Sequence, residues 1–72
     1  MSEPRLITIV VNGETASIRA DSTVAELLTQ LNIVSRAIAV ECNQEILPSH
    51  RFQQHILEPD DILEIVTLVG GG

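Results

Sequence analysis

The sequence predicts an α+β domain in which a mixed sheet of four to five strands carries one principal helix. Three observations point there. An Asn-Gly dipeptide separates two extended runs near the start, a capped helical stripe follows at once, and further extended runs fill the rest of the chain up to Gly70-Gly71-Gly72. A chain of 72 residues holds a single domain, read as residues 1–69 with a three-glycine tail at 70–72.

Leu6-Ile7-Thr8-Ile9-Val10-Val11 is β-branched and reads as the first strand. Asn12-Gly13 follows, the strongest short hairpin signal, because both central residues of a type I′ turn need positive φ. The return strand spans about Thr15 to Ala20, with Ala16 and Ile18 alternating against polar neighbours. Thr23 and Glu26 then form a T-x-x-E capping box. Val24, Leu27, Leu28 and Leu31 fall at i, i+3, i+4 and i+7, one face of a helix placed at about 24–32. Ala37 to Cys42 is a third strand, with Ile38, Val40 and Cys42 on one face. Glu45-Ile46-Leu47 is a short extended piece stopped by Pro48, and Ser49 to His55 reads as a helical turn or loop. Pro59-Asp60-Asp61 is a turn, and the last strand runs from Ile62 to Leu68 or Val69. If that strand pairs beside the first, the two are parallel and the sheet closes around the helix, which is the β-grasp arrangement of ubiquitin.

Composition narrows what such a domain does. A chain this small buries only about 60% of its unfolded surface and cannot spare core for a deep catalytic cleft. With one cysteine, Cys42, no internal disulfide forms, so apolar burial must hold the fold. Cys42 with His50 and His55 makes no convincing zinc set: the thiol reads as a small strand residue facing the core and the histidines as solvated loop residues. No metal or bound cofactor is expected. Phe52 is the only aromatic, and ten acids against four arginines give a net charge of −6. Such a surface repels phosphate backbones and offers no stacking platform, so nucleic acid is excluded and a basic patch on another protein is favoured. No apolar run reaches membrane-spanning length and the N-terminus lacks a signal-peptide pattern. A cytoplasmic protein with a reduced thiol, monomeric when free, is the expectation.

Several stretches together carry a family resemblance. They are Val11-Asn12-Gly13-Glu14, Thr23-Val24-Ala25-Glu26-Leu27-Leu28, Ala39-Val40-Glu41-Cys42-Asn43, Ile46-Leu47-Pro48, and Asp61-Ile62-Leu63-Glu64-Ile65-Val66 through Val69-Gly70-Gly71-Gly72. In order and spacing they resemble the ThiS family of sulfur carriers of thiamine biosynthesis, over essentially the whole chain. Phe52 stands where that family often has an aromatic. Gln44 replaces the glycine usual after the Asn of the third strand, and Pro59-Asp60-Asp61 replaces an Asp-Gly-Asp. The resemblance implies a protein co-substrate rather than an enzyme, with Gly72 as the modified residue and Gly70 and Gly71 as its tether. A ThiF-type enzyme would adenylate the Gly72 carboxylate with ATP, a persulfide donor would convert it to a thiocarboxylate, and a ThiG-type thiazole synthase would take the sulfur. The small subunit of molybdopterin synthase and a ubiquitin-like modifier are the alternatives. Against chain-forming modification stands the absence of any lysine.

The chemistry suits the residues. A carboxylate is a poor electrophile until a leaving group is installed, and glycines without Cβ adopt conformations closed to others and pass through a narrow channel. On the last strand, if Glu64 faces out, Ile62, Val66 and Leu68 face out with it while Leu63, Ile65 and Thr67 face the core. That outer row is either a partner site or a face covered by other elements. Glu58, Asp60, Asp61 and Glu64 form either a solvated acidic turn or a docking surface. Arg5, Arg19, Arg36 and Arg51 are too scattered to make an anion pocket.

Overall fold

The computed structural model describes residues 5–33 and 37–67. Strands β1 (Leu6–Val11) and β2 (Glu14–Arg19) form the opening hairpin. Helix α1 (Val24–Gln30) follows, then β3 (Ile38–Cys42), β4 (Glu45–Leu47), a 3₁₀ turn (Ser49–Arg51) and β5 (Ile62–Thr67). The sheet order is β2-β1-β5-β3-β4. Thus the last strand of the chain lies in the middle of the sheet, parallel to β1 and antiparallel to β3.

Both hairpins turn on the residues the sequence offers. Asn12 and Gly13 have φ of 52° and 84°, the type I′ pattern, and bring Val11 opposite Glu14. Asn43 and Gln44, at 54° and 71°, do the same between β3 and β4. Asp60, at 70°, takes the positive φ of the turn ahead of β5. The two places where the chain lacks a glycine usual in the resembling family are therefore left-handed positions occupied by Gln44 and Asp60.

At the start of α1 the capping box is complete: the Thr23 hydroxyl accepts from the Glu26 N–H at 3.2 Å, and the Thr23 N–H donates to the Glu26 carboxylate at 2.8 Å. Two more free N–H groups of the first turn, on Val24 and Ala25, donate to the carbonyls of His55 and Phe52 at 3.0 and 2.9 Å. The segment after the 3₁₀ turn is thereby tied to the helix. α1 stops two residues sooner than its apolar spacing suggests. Leu31 is the C-cap and Asn32 takes φ 60°, with Asn32 N–H donating to the Thr29 carbonyl and Ile33 N–H to the Leu28 carbonyl. That is a Schellman ending with Asn in the left-handed position. Because the helix has already ended, Leu31 leaves the stripe and is 37% exposed, whereas Val24, Leu27 and Leu28 are buried.

The helix stripe packs on the sheet face formed by Ile9, Ile18, Val40, Cys42, Leu63 and Ile65, with Phe52 and Leu57 completing the core. Thr67, expected to face inward, pairs with Ile38 but is exposed; Ile38 itself is only half-buried, so the core thins towards that end of β5. Strand ends differ from the sequence reading by about a residue: β2 begins at Glu14 and β3 at Ile38. Leu68 and Gly70-Gly71-Gly72 lie outside the described residues.

Candidate functional site

The feature that positions the end of the chain is β5, and two asparagine side chains hold it. β1 pairs with β5 only at Val10–Ile62 and Val11–Leu63 before the hairpin turns away. Asn12 extends the ladder. Its backbone N–H donates to the Leu63 carbonyl at 2.9 Å, while its side-chain amide accepts from the Ile65 N–H at 2.8 Å and donates to the Ile65 carbonyl at 3.1 Å. A turn residue thus replaces a missing stretch of strand backbone. Asn43 does the same at the beginning of β5: its Oδ1 accepts from the Ile62 N–H at 3.0 Å, its N–H donates to the Ile62 carbonyl at 2.7 Å, and its Nδ2 donates to Asp61 at 3.0 Å. The sequence marks both asparagines only as turn formers.

Beyond Ile65 the described ladder of β5 continues with β3 alone, through Ala39–Val66 and Ile38–Thr67. Past Ile65 the strand is therefore paired on one side only among the described residues, and residues 68–72 follow Thr67. Five residues reach at most about 18 Å.

On the sheet face away from α1, Ile62 and Val66 are 56% and 53% exposed, and Ile46 on β4 is 77% exposed. Nothing among the described residues covers them. Leu68, the third residue of the row, is outside the described residues. Between the apolar residues, Glu64 of β5 sits directly opposite Glu41 of β3, both exposed. Like charges in register cost stability within a sheet and favour a cationic group laid across them. The remaining acids divide. The Asp61 carboxylate is held by Asn43 and by the Glu58 N–H at 2.8 Å, while Glu58 and Asp60 are exposed in the turn.

Cys42 is buried, as its strand position predicts. Burial raises its thiol pKa above the ordinary value, and the charges of Asp61 and Glu45 raise it further. His50 is exposed, but His55 is half-buried and its side chain stands with Cys42 and Asp61. The sequence conceals that meeting because the three residues come from a strand, a loop and a turn. A cleft of about 330 Å³ opens between Arg5-Leu6 and Ile56, at the end of the sheet opposite Thr67. No helix of the described residues is long and apolar enough to cross a membrane.

The sequence model of the ThiS family matches residues 4–72. A thiazole synthase of Paramagnetospirillum magneticum is 44% identical over 64 residues, which are 89% of this chain but 20% of that protein. The chain thus spans about a fifth of that relative's length. The sulfur carrier protein ThiS of Escherichia coli K12 is 33% identical over 64 residues, 89% of this chain and 97% of that one. Among solved structures, the thiamine biosynthesis protein ThiS of Geobacter metallireducens superposes with a TM-score of 0.78 at 28% identity, covering 92% of this chain and all of that one. The shared architecture is the ubiquitin-like β-grasp that the element order predicts.

Proposed function

The chain belongs to the ThiS family, and on that premise we propose that it is a sulfur carrier of thiamine biosynthesis, a co-substrate whose working group is the Gly72 carboxylate. The observation that carries this reading is the family match, which runs through β5 into all three glycines. The geometry supports it. A central strand anchored by Asn12 and Asn43 gives a tail a fixed point of departure, and an acidic, partly apolar face lies beside it.

The proposed chemistry begins with attack of the Gly72 carboxylate on the α-phosphate of ATP, in the active site of a ThiF-type enzyme, with pyrophosphate leaving. The terminal sulfur of a persulfide then displaces AMP from the acyl carbon. A second thiol cleaves the resulting S–S bond, which leaves the thiocarboxylate on Gly72 and a disulfide on the donor. A ThiG-type thiazole synthase receives the sulfur. That pairing is supported by the thiazole synthase that itself contains a segment similar to this chain. ATP belongs to the activating partner. The exposed Ile62, Val66 and Ile46 dock against apolar residues of the partners, and Glu41 and Glu64 receive a basic side chain. The carrier works in the cytosol, where Cys42 stays reduced.

The test is ATP–pyrophosphate exchange catalysed by the activating enzyme with three chains: wild type, Gly72 deleted, and one residue added after Gly72. Either change moves the terminus by about 3.3–3.6 Å, large for a reaction that depends on near-attack geometry. Only wild type should support exchange. Equal exchange by all three would show that the terminus is not the reacting group. The intact mass of the protein from its native cell should increase, in the loaded form, by the difference between sulfur and oxygen.

A further inference from the structure

We propose that Cys42, His55 and Asp61 form a binding site for a zinc-class divalent cation, with one coordination position left open. The Cys42 sulfur, a His55 ring nitrogen and an Asp61 carboxylate oxygen all lie within 4.8 Å of one another. Zinc bonds of about 2.0–2.3 Å in a tetrahedron place ligand atoms about 3.5 Å apart. Closing the difference requires the side chains to rotate, with one Asp61 oxygen shared between its present hydrogen bond and the ion. Every backbone involved is already fixed. Cys42 is in β3, paired with Leu63 on one side and Glu45 on the other. The His55 N–H donates to the Arg51 carbonyl at 2.9 Å, and its own carbonyl accepts from Val24. The Asp61 carboxylate is aimed by Asn43 Nδ2 and the Glu58 N–H. Such outer hydrogen bonds are what orient metal ligands.

The donor set selects the ion. One sulfur, one imidazole nitrogen and one carboxylate suit zinc and its neighbours, whereas magnesium and calcium require all-oxygen shells. On binding, the Cys42 S–H bond breaks, the proton leaves to solvent and the sulfur keeps the electron pair that forms the metal bond; nothing is oxidised or reduced. Thiolate and carboxylate then balance the ion's two charges. Three protein ligands leave a fourth tetrahedral position for water or an exogenous ligand. The site cross-links β3, the loop after the 3₁₀ turn and the turn before β5. It does not depend on the tail, so it stands apart from the carrier reading.

Cobalt(II) is the spectroscopic probe, added to the tag-free full-length chain, with zinc titrated calorimetrically in parallel. The expected result is one ion per chain, a thiolate-to-cobalt charge-transfer band, displacement of cobalt by zinc, and a higher melting temperature with zinc. Cys42→Ser should abolish the band. His55→Ala should weaken affinity by at least about 10–100-fold, the loss that even an outer-shell change produces. His50→Ala should change nothing. Circular dichroism verifies that each variant is folded. No binding, binding without the charge-transfer band, or an affinity that His55→Ala leaves unchanged would overturn the site; any of these leaves the exchange assay on Gly72 unaffected.

Discussion

Asn12 does two jobs that are usually separate. It adopts the positive φ of the hairpin and it bonds both polar groups of Ile65. Asn12→Ala should therefore lose about 0.5–1.5 kcal/mol for each side-chain bond, plus the cost of a left-handed alanine. Urea denaturation should show a lowered midpoint with an unchanged slope. Gln44 is the opposite case: it takes a left-handed φ of 71°, and among the described residues its side chain makes no hydrogen bond to offset the strain. Gln44→Gly should raise stability by up to about 1 kcal/mol, the strain of about 1–2 kcal/mol less the entropy of glycine. The thiol of Cys42 adds a pH dependence. Its pKa is raised in the folded state by burial and by Asp61 and Glu45. Below about pH 8.5 folded and unfolded chains both hold the proton. Above it the unfolded chain ionises first, so this contribution to stability falls as pH rises and is lost once the folded thiol ionises as well. Cys42→Ser should flatten the alkaline limb of a melting-temperature profile in the metal-free protein.

At the scale of elements, the sequence was legible wherever a local rule was sufficient. Asn12-Gly13 determined the first turn, Thr23 and Glu26 the start of α1, and period-two alternation the inward residues Leu63 and Ile65. The end of α1 was harder to read, because the spacing that includes Leu31 continues past the Schellman ending at Asn32. A sensitive comparison follows. Leu27, fully buried, should cost about 2–5 kcal/mol when changed to alanine, while Leu31→Ala should cost much less, since the side chain is 37% exposed. Equal losses in chemical denaturation would contradict the helix ending. What no local rule could reveal is contact between segments distant in sequence: Asn12 against Ile65, Asn43 against Ile62, and His55 with Cys42 and Asp61. Those depend on which strand lies next to which.

For the whole molecule, the face carrying Ile62, Val66 and Ile46 contributes little to the core, so Val66→Lys should leave the melting temperature nearly unchanged. The same substitution should weaken binding to the activating enzyme or the synthase, measured by calorimetry; unaltered affinity for both would reject this docking face. The position of β5 has another consequence, which concerns how the protein is made. On the ribosome the opening hairpin, α1 and the β3–β4 pair emerge first, yet the strand that joins them is delivered last. Until it inserts, Ile9 and Val40 have no Leu63 or Ile65 between them, and the nascent chain is two partial sheets without a closed core. Chains terminated early should thus be cleared by proteases rather than accumulate. Under the proposed function this couples persistence to completeness: bodies lacking the terminal strand are removed before they can occupy a partner to which they offer no tail.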